Sequence, residues 1–296
     1  MTKFTYTKTK NFPNIKFLVG SRHSGLLYFD GEDFKRIYPR YRVYGITKGR
    51  HGWCAYVKDP GSKTGTIVSF NIEDDNFCNF KNIICPAPKD IHQIDFIGKS
   101  LILTDVRSGS LIEYKNFLKF TRPPLKIVHK IGTPMKHFNS IYFYNNQILV
   151  LAHNQYAKTE QKSKVIYLNK SFDKVKRYKS NAKCGHNIYQ DKSCIIVCDS
   201  LGGNVLYNNK PILKNMGFVR GLSISDDYIL IGSSKQSDDD KNRISLGHIH
   251  VFNRKFKKIG RISIPKTQIY EIRRVDSIDY CMSNGSSKNK VPLYVK

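Results

Sequence analysis

Acidic residues are scarce in this sequence, 23 against 50 lysines and arginines over 296 residues, for a net charge of +27 and a pI of about 9.8. Long apolar runs are missing too: none approaches the roughly 18 residues of a membrane span. The basic N-terminus, MTKFTYTKTKNFPNIKF, has no apolar stretch of the kind a secretory signal needs. A cytoplasmic location is therefore expected. The seven cysteines (Cys54, Cys78, Cys85, Cys184, Cys194, Cys198, Cys281) form no CxxC pair and no local Cys/His zinc spacing. They are expected to be reduced thiols, mostly buried. No Walker loop, dinucleotide fingerprint or GxSxG nucleophile elbow occurs. No useful stripe of 3.6-residue period appears either, so helices are few. The single tryptophan, Trp53, is expected in the core.

What is present is a folded composition, 40% hydrophobic and 12% aromatic. The charge itself has two readings. It attracts a polyanion, or it reflects a composition rich in Lys, Asn, Ile and Tyr that merely solvates the surface. The basic residues are scattered, and no RRM, KH or zinc-finger pattern accompanies them.

The organising feature is a repeat of about forty to fifty residues: an apolar strand, a turn or loop usually ending in glycine, and a second strand. It runs from Phe17 to Asp30, Cys54 to Asn71, Leu101 to Lys115, Ile148 to Asn169, Ile195 to Asn208 and Ile229 to Asn253. Shorter strands begin near Tyr44, His92, Asn139, His186, Arg220 and Glu271. Five precede their own pair, and the sixth lies at the C-terminus, where it can complete the first unit. Six such units make an all-β, six-bladed β-propeller, closed by its C-terminal strand and forming one domain over residues 1–296. Seven blades remain open if the stretch after Asp276 builds further strands. Proline-bearing segments at 81–90, 120–136 and 264–268 read as connections between blades.

In such a fold the first strand of each blade lines a central channel. The first residues of these strands, Tyr44, His92, Asn139, His186, Arg220 and Glu271, are all polar or ionisable, so they are expected around one channel mouth. His92, His186 and Glu271 fall on alternate blades. Two imidazoles and a carboxylate converging there suit a divalent transition metal with open positions, polarising a substrate oxygen or activating water. The structural alternative is a hydrogen-bonded polar plug. His137, two residues before Asn139, can join either. Arg220 offers a planar fork for a carboxylate, phosphate or sulfate, or pairs with Glu271.

Two long loops, 153–164 and 233–246, border the same face, and the second places Lys235 and Arg243 beside an acidic run that lacks calcium-loop spacing. Asp105 and Asp199 precede tight Ser/Gly turns and read as turn caps.

The stretches RGLSI, YILIGSSK and IYEIR, with HNIYQ and HQIDF upstream, resemble an uncharacterised group of bacterial six-bladed propellers of unknown function. More distantly, the architecture resembles gluconolactonase, strictosidine synthase and NHL-type propellers. Gluconolactonase-like enzymes hold calcium in the channel with Glu, Asn and Asp. Here Glu271 and Asn139 match, but His92 and His186 stand where oxygen ligands are expected, which points away from calcium. Carotenoid-cleaving propellers hold iron with four channel histidines, whereas this chain is smaller and lacks four in one register. None of these likenesses fixes an activity.

The reading that follows is a propeller binding a small polar, anionic ligand at the mouth. Arg220 is its clamp. His92, His186 and Glu271 serve as the metal or acid/base group of a hydrolase or lyase, with Tyr44, Asn139, His137, Lys235 and Arg243 in support. The alternative is a non-catalytic basic platform for a polyanion or a protein partner.

Overall fold

The computed structural model describes residues 4–38, 42–58, 61–117, 125–133, 136–236, 244 and 246–283. Six antiparallel sheets form the blades, and their innermost strands follow one another in a closed ring, each packing on the next. These six strands are Gln268–Arg274, Arg42–Gly49, Ile91–Ile97, Phe138–Tyr144, Gly185–Gln190 and Phe218–Ile224. The C-terminal strand Gln268–Arg274 pairs antiparallel with Phe17–Arg22 and completes the first blade, as the sequence pattern requires. Residues 277–283 form no strand and 284–296 lie outside the described residues, among which there are six blades.

Short-range chemistry sets the hairpins. Asp74-Asp75, Asn145-Asn146 and Asn208-Asn209 each hold two consecutive positive φ angles at two-residue turns. Asn and Asp tolerate that conformation, and its twist matches the flanking strands. Packing then fixes register. In Ser100–Asp105, Leu101 and Leu103 face the second blade beside Tyr56 and Ile67, while Ile102 faces the fourth blade beside Ile148 and Val150. Both faces of such a strand are buried, and each large apolar side chain removed from water contributes about 1.5–3 kcal/mol.

Two features complete the body. The two-residue strand Thr7–Lys8 adds a fifth strand outside Lys258–Pro265 in the sixth blade. At the far end of the channel the Asp279–Ser283 segment is tied to several blades. The Ser283 amide donates to Asp95 Oδ2 at 2.9 Å, the Tyr280 amide to the Ile224 carbonyl at 2.7 Å, and the Tyr142 hydroxyl to the Tyr280 carbonyl at 2.9 Å. Among the described residues the only α-helix is one turn, Tyr156–Thr159, and no helix is long and apolar enough to cross a membrane.

Candidate functional site at the channel mouth

Every inner strand carries a β-bulge at the same level. The registers slip between Val43 and Ile46, at His92 opposite Leu103/Asp105, between Phe138 and Ser140, between His186 and Ile188, between Val219 and Leu222, and at Tyr270 between Glu271 and Ile269. A bulge breaks the strict alternation of a strand and re-aims side chains. Here it sorts two consecutive residues of each blade into two layers. The outer layer is Tyr270, Tyr44, His92, Asn139, His186 and Arg220. The inner layer is Glu271, Gly45, Gln93, Ser140, Asn187 and Gly221.

The outer layer is an aromatic and cationic ring. Tyr44 stacks on Tyr270 with centroids 4.5 Å apart and on His92 at 5.2 Å. The Arg220 guanidinium lies 4.3 Å from the Tyr270 ring centre and 5.5 Å from that of Tyr44. Arg220 is only 6% exposed, yet its guanidinium has no hydrogen-bond or ion-pair partner among the described residues. His92 Nδ1 and Asn139 Oδ1 are likewise buried without a hydrogen-bond partner. Asn139 uses its Nδ2 to donate to the Gly185 carbonyl at 3.1 Å.

Four imidazoles crowd the other half of the mouth. His92 meets His137 edge to face at 5.0 Å, His137 meets His153 at 4.7 Å, and His153 meets His186 at 5.5 Å. Burial first, then the charge of Arg220, pushes His92 and His186 well below the ordinary imidazole value and His137 down to about 4. All three are neutral at pH 7. The His186 tautomer follows from its partners. Ser200 Oγ donates its proton to the Val219 carbonyl, so it accepts from His186 Nδ1 at 2.8 Å and leaves Nε2 as a lone pair. Cys184 Sγ lies against His153 Nε2, while His153 Nδ1 accepts the Gln155 amide at 2.9 Å. One ligand atom each of His153, Cys184 and His186 lies within 4.8 Å of the others.

Glu271 belongs to the inner layer, not to the histidine group. Its oxygens meet Arg273 Nη1 and Asn187 Nδ2, both at 3.1 Å, and Gln93 Nε2 at 3.4 Å. Arg273 in turn donates to the carbonyls of Ile46 and Leu222 on the flanking blades. Burial raises Glu271 to about 7 against the opposing charges of Arg273 and Arg220. The ion pair available to the mouth carboxylate is therefore with Arg273, two residues along the same strand, and not with Arg220. Lys235 is exposed at the end of its strand. Arg243 lies outside the described residues. Asp105 and Asp199 cap their turns, accepting from Arg107, Ser108, Gly202 and Lys183 amides.

Tyr270, His153 and Cys184 join the mouth without having been singled out for it in the sequence. One signal did exist: Cys184 stands two residues before His186, as His137 stands two before Asn139, and both have positive φ, +62° and +49°.

No family model matches the sequence, and no curated protein matches it. Solved structures match the fold. A chain in the crystal structure of a nidogen/laminin complex aligns with a TM-score of 0.60 at 11% identity, over 87% of this chain and 97% of that one. A Bacteroides caccae protein of unknown function aligns at 0.59 and 12%, over 88% and 99%. Streptogramin B lyase aligns at 0.51 and 9%, over 90% and 98%. At such identities the likeness is one of fold, and the chain has the six-bladed β-propeller fold that these structures share.

Proposed function

We propose that this propeller binds a small anionic ligand at its channel mouth, with Arg220 as the clamp. The observation that carries this reading is Arg220, 6% exposed, whose guanidinium has no carboxylate or carbonyl partner among the described residues. Two cation–π contacts return about 2 kcal/mol each at best, enough to offset much of the several kcal/mol lost by taking a charge out of water. They leave every N–H of the fork without an acceptor among the described residues, and that lack is the deficit. A carboxylate, phosphate or sulfate placed on the guanidinium fork removes that deficit. His92, whose Nδ1 has no partner, supplies a further polar contact to the same ligand. Neutral His92 beside such an anion is also a base for hydrolase or lyase chemistry. Streptogramin B lyase shares the fold, which is compatible with that chemistry and carries no argument for it at 9% identity. Calorimetric titration with phosphate, sulfate, acetate and oxalate tests the reading. At least one is expected to saturate one site per chain, and Arg220→Gln is expected to weaken it about tenfold or more, the worth of one charge-assisted hydrogen bond. Equal binding by both proteins, or no saturable binding by the wild type, overturns it.

A second reading is supported by the fourth blade's edge. Its outer strand Lys174–Lys179, KVKRYK, is almost wholly exposed. Burial, then the charges of Lys164, Arg177 and Lys174, lowers Lys136. Four cations this close form a patch for a polyanion. Binding to heparin that weakens steeply with salt, and weakens again in Lys174→Glu/Arg177→Glu, is expected; salt-independent binding or none overturns it.

A further inference from the structure

We infer that His153, Cys184 and His186 form a binding site for a thiophilic divalent cation of the zinc type, set in the rim of the channel mouth. This site differs from a His92, His186 and Glu271 triad, and it does not depend on Arg220 holding an anion. The donor set is the first argument. Two imidazoles and one thiolate suit zinc, cobalt or nickel, and three protein donors leave a coordination position open. All three ligand atoms already lie within 4.8 Å of one another.

The surroundings supply the second argument. His186 directs its Nδ1 proton to Ser200 Oγ and the Cys184 carbonyl, the anchoring that metal-bound histidines have, so Nε2 presents a lone pair. Cys184 is fixed at a φ of +62°, a conformation a non-glycine residue keeps only where its neighbours hold it. Asn139, 3% exposed, is tied to the carbonyl of Gly185, the residue after Cys184, and its Oδ1 has no partner. An acceptor left unpaired in that place fits a water bound to the ion.

With the Gln155 amide on Nδ1, His153 carries its ring proton on Nε2, toward Cys184 Sγ. Entry of the ion moves that proton to Nδ1 at the expense of the Gln155 hydrogen bond, and it releases the thiol proton to solvent. The thiolate charge offsets part of the repulsion from Arg220.

Purified protein stripped with a chelator and titrated with Co²⁺ tests the site. The wild type is expected to bind one Co²⁺ per chain with a thiolate-to-cobalt charge-transfer band. Its affinity should rise about tenfold per pH unit while one proton is released. Cys184→Ser is expected to lose the band, and His153→Gln and His186→Gln to weaken binding at least about tenfold. Cys78→Ser and Arg220→Gln are expected to keep the band, which separates this site from the anion clamp. Failure of the wild type to bind Co²⁺ stoichiometrically, or a band that survives Cys184→Ser, overturns the inference.

Discussion

Arg220 and Arg273 are both buried channel arginines, and they have opposite relations to the fold. Arg273 is 1% exposed and fully engaged, with Glu271 at 3.1 Å and three backbone carbonyls. Arg220 is 6% exposed, and its guanidinium lies over the faces of Tyr270 and Tyr44 with no hydrogen bond or ion pair among the described residues. A group kept for a ligand usually costs stability in its absence, whereas removing one partner of a buried pair costs about 3–5 kcal/mol. Above pH 7, where Glu271 is ionised, Glu271→Gln is therefore expected to lower the unfolding free energy by about 3 kcal/mol, because Arg273 keeps its carbonyl partners but loses its ion-pair partner. Arg220→Met is expected to leave it unchanged or raise it, since the aliphatic replacement needs no counter-ion. Urea unfolding in anion-poor buffer measures both. An Arg220→Met loss as large as that of Glu271→Gln would assign Arg220 a structural role. Five of the six outer-layer residues, Tyr44, His92, Asn139, His186 and Arg220, were legible because a repeat puts them in one register. Glu271 shows the limit of that argument, since a register cannot tell which of two consecutive residues a bulge turns outward.

The strands themselves were readable because both faces are buried and the turns are short. The bulges were not, because nothing in an apolar–polar alternation marks where a strand slips by a residue. Glycine marks two of them. A Cβ at Gly45 would stand 2.6 Å from the Ile94 amide nitrogen and 3.0 Å from Gln93 Cα, so the second and third blades approach there as closely as backbones can. Gly221 has a φ of +93°, and its amide donates to Asn187 Oδ1 at 2.7 Å. Gly45→Ala must push the neighbouring inner strand outward, carrying with it Gln93, which bridges Glu271 and the Ile141 amide. It is expected to cost about 2 kcal/mol or more in denaturant unfolding. Gly98→Ala is the comparison, for nothing lies within 4 Å of its Cβ and only its φ of +61° resists, at about 1 kcal/mol. Equal losses at the two sites would remove the claim that blade contact sets the bulge. His153 was invisible for another reason: it lies just past the end of Gln147–Ala152, a second strand rather than an inner one, whereas Cys184 was marked only by its spacing from His186.

At the scale of the whole molecule, ring closure joins the fold to the site. The closing strand Gln268–Arg274 is buried along its full length and supplies Tyr270 to the mouth, Glu271 to the layer below and Arg273 to the ties across it. The strand it pairs with, Phe17–Arg22, is also buried throughout. Ending the chain at Thr267 would expose that edge, open the apolar layer around Ile269 and Ile272, and remove the Asp279–Ser283 segment from the far end. An unpaired apolar edge invites intermolecular pairing. The shortened chain is expected to aggregate or to unfold without cooperativity, and to lose anion and Co²⁺ binding together. A synthetic peptide of residues 268–283 is expected to restore a cooperative transition by adding the missing strand in trans. Removing residues 1–8 is the contrasting case, since that strand pairs over only two residues at the outer edge of the sixth blade, far from the ring of inner strands. That variant is expected to keep cooperative unfolding and both binding activities. A chain ending at Thr267 that still melts cooperatively near the wild-type temperature would show that closure is dispensable and that each blade holds its neighbours unaided.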